Sequence, residues 1–152
     1  MYLLKYFIVF TIFISCKPSG PVTPEDSFIE IKKAYADDNI EIFLTLLSKE
    51  SLIKINEARN KISDMDENSR KGFASYYGLK PDALKNISTA DLIKIQFIFM
   101  KANKTDLHKA LTSEAVSKII RNETSAEIMM SNGITMKFIR EYPYWKMDLT
   151  FF

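Results

Sequence analysis

The spacing of apolar residues changes once along this chain, from a helical period to strict alternation, and the change falls near Thr112. Ahead of it, Phe28, Ile31, Ala34 and Tyr35 share one helix face. That helix has Thr23 as N-cap, Pro24 at its first position, and Glu25 and Asp26 in its first turn. After a break at Asp37-Asp38-Asn39, Ile40, Phe43, Leu44 and Leu47 predict a second helix. Ser48 then caps a third, whose stripe is Leu52, Ile55, Ala58 or Arg59, and Ile62. Asp64 to Ser69 reads as a polar turn or a frayed helix start, and Lys71 to Tyr77 as one or two helical turns stopped by Gly78. Lys80-Pro81-Asp82 reads as a further short turn. Ser88 with Asp91 makes an acidic version of the capping box and opens the strongest helix of the chain. Leu92, Ile93, Ile95, Phe97, Ile98 and Phe99 surround that helix, which is expected to lie buried at the centre.

Beyond Thr112, Val116 to Arg121 reads as a strand, although Ser113 to Ile120 also fits a helix. Ala126, Ile128 and Met130 face one way, and Ile134, Met136 and Phe138 alternate after Asn132-Gly133. That pair predicts a type I′ hairpin with positive φ at both central residues. Glu141-Tyr142-Pro143 makes another turn. In the last strand Trp145, Met147, Leu149 and Phe151 oppose Lys146, Asp148 and Thr150, which places Asp148 away from the core. The fold class is α+β: N-terminal helices followed by a C-terminal antiparallel four-stranded meander wrapped on a long helix, in one domain over 24-152.

The start of the chain follows neither period. Met1-Tyr2-Leu3-Leu4-Lys5 carries one positive charge, and Tyr6 to Ile14 is nine residues without charge. The small Ser15 then precedes Cys16, the only cysteine. This is the pattern of a secretory signal peptide over 1-15, too short for the roughly 20 apolar residues that cross a bilayer. Phe13-Ile14-Ser15-Cys16 resembles the lipobox of bacterial lipoproteins, with Phe13 in place of the usual Leu. The resemblance implies that Cys16 carries acyl chains, palmitate among them, which hold the protein on a membrane of the bacterial cell envelope. Residues 16-23, with Pro18 and Pro21, read as a lipidated, Pro-rich tether ahead of Pro24.

Composition narrows the function classes. Without its first 15 residues the 152-residue chain keeps 137, enough for one domain with a real core. Losing Lys5 leaves 20 basic residues against 19 acidic ones, so no nucleic-acid partner is expected. A single cysteine excludes a disulfide within the monomer.

The long apolar helix, the meander and the ending Tyr144-Trp145-Lys146-Met147-Asp148-Leu149 resemble the nuclear transport factor two-like, or cystatin-like, lipoprotein domains. The resemblance implies a curved sheet around a helix and a conical pocket, open to a small apolar ligand or a protein partner. Tyr35, Phe43, Phe97, Met136, Phe138 and Trp145 are its candidate lining; the same residues also read as filling the core. Family members insert a β-hairpin where Ser51 to Tyr77 here reads as helical. For an enzyme of isomerase or dehydratase type, Asp148 or Glu127 would be the cavity carboxylate. The lone His108 reads as a solvated residue past the long helix. Asp64, Asp66 and Glu67 lack the spacing of a calcium loop, and no metal or cofactor motif is present. The expectation is therefore a non-catalytic binding domain. The enzyme is the alternative, and an interaction protein working through Asn122-Glu123 and Asn132-Gly133 is a third reading.

Overall fold

Side-chain caps set the helix boundaries in the computed structural model, which describes residues 20–112 and 115–149. Thr23 accepts the Asp26 N–H and starts α1 (Pro24–Ala36). Asn39 caps α2 (Ile40–Thr45), and Ser48 caps α3 (Lys49–Ser63). Asp66 caps α4 (Glu67–Tyr76) by accepting the N–H groups of Asn68 and Ser69. A 3-10 turn over Pro81–Leu84 follows. Ser88 and Asp91 then form the reciprocal box that opens α5 (Thr89–Asn103). A last short helix, α6 (Asp106–Thr112), precedes strands β1 (Val116–Arg121), β2 (Ser125–Met130), β3 (Thr135–Glu141) and β4 (Tyr144–Asp148). The strands pair antiparallel in the order β1-β2-β3-β4, so the protein is α+β, helices first and a four-stranded meander last.

Several local expectations are corrected. Of the two readings of Asp64 to Ser69, the helix start holds from Glu67, where the Asp66 cap opens α4. α5 ends at Lys104, which takes a left-handed conformation with φ 48. The segment after it, expected to be polar and outside any helix, forms α6. There Thr105 Oγ1 accepts the His108 N–H, and Ala110 and Leu111 turn inward. In the β2–β3 hairpin positive φ occurs at Gly133 alone, not at Asn132. Gly133 N–H reaches the Met130 carbonyl at 3.0 Å and Met130 N–H reaches Ile134 O at 2.8 Å, the pattern of a three-residue loop with a left-handed closing glycine. The part of the expected tether that is described, 20–23, is seated on the domain. Pro21 is buried, its carbonyl accepts the Trp145 N–H at 3.0 Å, and Gly20 lies so close to the Tyr144 ring that a Cβ there would stand 2.8 Å from it.

The inner face of the sheet is apolar by alternation. Ala126, Phe138 and Met147 form one row across β2, β3 and β4, beside Ile128 paired with Met136. All are buried, and α1 lies against β4 and β2 with Phe28 edge-on to Phe138 at 6.5 Å. α5 joins the same core from the far side of α2, Phe97 meeting both Tyr35 and Phe43 edge-on, at 4.7 and 4.8 Å. It is not buried all round. Leu92, Ile93, Phe97 and Met100 are buried, but Ile98 is 62% exposed and emerges beside Tyr76, Tyr77 and Phe99. A smaller core of Ile62, Ala74, Leu84, Ile87 and Leu92 holds α3, α4 and α5 together.

The two sheet edges differ. β1 is exposed along its whole length. β4 is covered, because Leu46 to Ser48 runs beside it: Met147 N–H reaches Leu46 O at 2.8 Å and Ser48 N–H reaches Met147 O at 2.9 Å. Asp148 stands on the side of the sheet away from Met147, as alternation expects, but it is covered there and only 8% exposed. The start of α3 covers it, and the Ser51 hydroxyl donates to its carboxylate at 3.3 Å. Ser51 Oγ in turn accepts the Leu149 N–H at 2.7 Å and lies 2.8 Å from Ser48 Oγ, so both buried hydroxyls have partners. A carboxylate from β3, Glu141, accepts the Lys49 N–H at 2.7 Å, adding favourable negative charge at the same helix start. Ser51→Ala would strand the Leu149 N–H and leave Asp148 without this donor. It should lower stability by about 1–3 kcal/mol, read as a lower urea midpoint.

Candidate functional site

An open groove of about 440 Å3 runs between α3 and α5. Its α3 wall is built at helical spacing by Ser51, Ile55, Ala58 and Ile62, and its α5 wall by Leu92, Ile93 and Gln96. Phe73 of α4 and Leu149, just after β4, close the ends. Ala58 is the smallest side chain of the α3 wall and is exposed there, between Ile55 and Ile62. Lys54 and Lys61 stand on its rim and are the ionisable side chains among the lining residues. Neither forms an ion pair among the described residues, whereas Lys71, Lys85, Lys101 and Lys109 each have an acidic partner within 3.0 Å. The sequence reading placed Ile55, Ala58 and Ile62 on a buried stripe and did not foresee an opening there. The signal was present in the pairing of a small residue with lysines four before it and three after it.

The six residues expected around a conical pocket, Tyr35, Phe43, Phe97, Met136, Phe138 and Trp145, lie together in the main core and are all buried. They touch one another and the surrounding helices, and none of them borders the groove. Tyr35 alone also reaches the surface, in a depression shared with Lys32, Lys33, Lys101 and His108. His108 is not the solvated residue expected from its polar surroundings. It is half-buried on α6, and its Nδ1 and the Tyr35 hydroxyl share a hydrogen bond of 2.8 Å. Asp38 pairs with Lys101 at 2.5 Å, and the Lys101 ammonium lies over the Tyr35 ring, 5.2 Å from its centre.

The candidate carboxylates are committed elsewhere. Asp148 is held by Ser51, and Glu127, on the outer side of β2, lies 3.7 Å from the Lys137 ammonium. Asp66, one of the acidic residues weighed as a cation ligand, spends its carboxylate on the start of α4. Those hydrogen bonds from Ser69 and Asn68 hold its pKa below the usual value. Among the described residues no three His, Cys, Asp or Glu side chains gather closely enough to hold a metal ion. Cys16, with 1-15 and the start of the tether, lies outside the described residues.

Burial of the ring, and then the charge of Asp38, push the Tyr35 hydroxyl up to about 12. The unfolded chain loses this proton near pH 10, while the native chain keeps it to about 12. The stabilising effect is therefore complete below the unfolded value and is lost as pH rises through that window. The gap in urea midpoint between the wild-type protein and Tyr35→Phe should shrink steadily from pH 10 to 12. A gap that does not change with pH would contradict this assignment.

No family model matches the chain, and neither a curated protein nor a solved structure matches it.

Proposed function

We propose that the protein is a lipid-anchored lipoprotein of the bacterial cell envelope whose α+β domain binds a small apolar molecule without chemical conversion. The observation that carries the binding reading is the α3–α5 groove. Its volume of about 440 Å3 falls in the range of about 300–1,000 Å3 usual for small-molecule sites. Its walls are aliphatic and aromatic, with only Ser51, Gln96 and the two rim lysines polar. Such a surface favours burial of a ligand by about 25 cal/mol for each Å2 of apolar area removed from water. Among the described residues the ionisable members of the groove are two lysines of the same sign, not a paired acid and base.

The anchor rests on the sequence. Cys16 follows a charged start, a short apolar run and Ser15, and a thiol is the side chain suited to accept a diacylglyceryl group. Two or three acyl chains would give stable attachment, since one alone holds only marginally.

Two experiments test the two halves separately. Ala58→Trp should fill the groove and abolish uptake of the neutral dye Nile red, while the helical circular dichroism stays unchanged. Equal dye fluorescence from both proteins would remove the groove as a binding site. For the anchor, Cys16→Ala should move the protein from the detergent phase to the aqueous phase, or leave the leader uncut. Unaltered partitioning and processing would refute lipidation.

A further inference from the structure

We infer that the α3–α5 groove takes a single-chain anionic amphiphile of the fatty-acid class, its tail along the apolar floor and its headgroup between Lys54 and Lys61. This rests on the ligand-binding reading and names the class of ligand. Lys54 and Lys61 are seven residues apart on α3, two helical turns and about 10 Å along the axis, so they share one face. Both line the same groove. Their four-carbon stems are flexible enough for two ammonium groups to converge on one small anion. Neither forms an ion pair among the described residues, in contrast to the lysines that pair on α4, α5 and α6. Among the described residues no carboxylate lines the groove, and Asp148, behind the start of α3, is held by Ser51. A neutral apolar ligand would use the floor and leave both cations to water; a fatty acid uses both features.

The dimensions favour a small molecule over a protein segment. Eleven residues line the groove, whereas a stable protein–protein interface engages roughly 20–30 on each side. The polar member facing α3 from α5 is Gln96, a neutral donor that suits a carboxylate and repels nothing.

The test uses the full chain carrying Cys16→Ala, so that no acyl anchor competes, with the fluorescent fatty acid cis-parinaric acid and its methyl ester as probes. The acid should bind about fivefold more tightly than the ester, the fold-change of an exposed ion pair worth about 1 kcal/mol. Lys54→Gln with Lys61→Gln should weaken the acid to the level of the ester and leave the ester unchanged, while Lys54→Arg with Lys61→Arg keeps the difference. Equal binding of acid and ester, insensitive to the lysines, would overturn the anionic headgroup and leave the binding reading standing. Binding of neither probe, or binding that Ala58→Trp does not reduce, would bring down the reading itself. Binding seen only in a chain lacking Phe151 and Phe152 would make the chain's own end the occupant and overturn the inference.

Discussion

The buried knot of Ser48, Ser51 and Asp148 fastens the start of α3 to the end of β4. A carboxylate removed from water is tolerated only where donors and favourable charge compensate it. Here the Ser51 hydroxyl supplies the donor, and the start of α3 supplies the partial positive charge of a helix N-terminus. Because the same hydroxyl accepts the Leu149 N–H, one oxygen fixes both the helix and the end of β4. The position of α3 follows from this attachment, and so does the wall of the groove. A shift of α3 away from β4 would separate Ile55 from Ile93 and open the smaller core to water, since Ile55 packs against both apolar clusters.

The elements with strong local signals were legible in the sequence. Ser88 and Asp91, Ser48, and Thr23 followed by Pro24 mark helix starts through short-range hydrogen bonds that tertiary structure had no reason to override. Alternation along Ala126, Ile128 and Met130 likewise set the inner face of β2. What stayed hidden depends on distant partners. α6 is only seven residues long, and its inward Ala110 and Leu111 gain a reason to be helical once α1 and α5 are beside them. His108 looked solvated because its neighbours in sequence are polar, yet its partner, Tyr35, is 73 residues away. Alternation placed Asp148 outward correctly with respect to the sheet; it could not show that another segment covers that side.

The candidate site divides in the same way. Aromatic and methionine residues at regular spacing are as consistent with a filled interior as with a lined cone, and the six residues pack against one another. The groove lies instead between two helices, a property of the pair that neither helix carries alone. Its apolar residues were visible as a stripe; that they leave a trough beside two lysines is visible only when α3 and α5 are brought together.

The packing of Gly20 against Tyr144 bears on how the domain would ride above a bilayer. With fatty chains on Cys16, only four peptide steps separate the membrane from a point already fastened to the sheet, a reach of at most about 14 Å. So short a leash allows little headroom. The β4 end of the sheet would be kept facing the lipid headgroups, and the freedom of the molecule to tumble would be restricted to rocking about that corner.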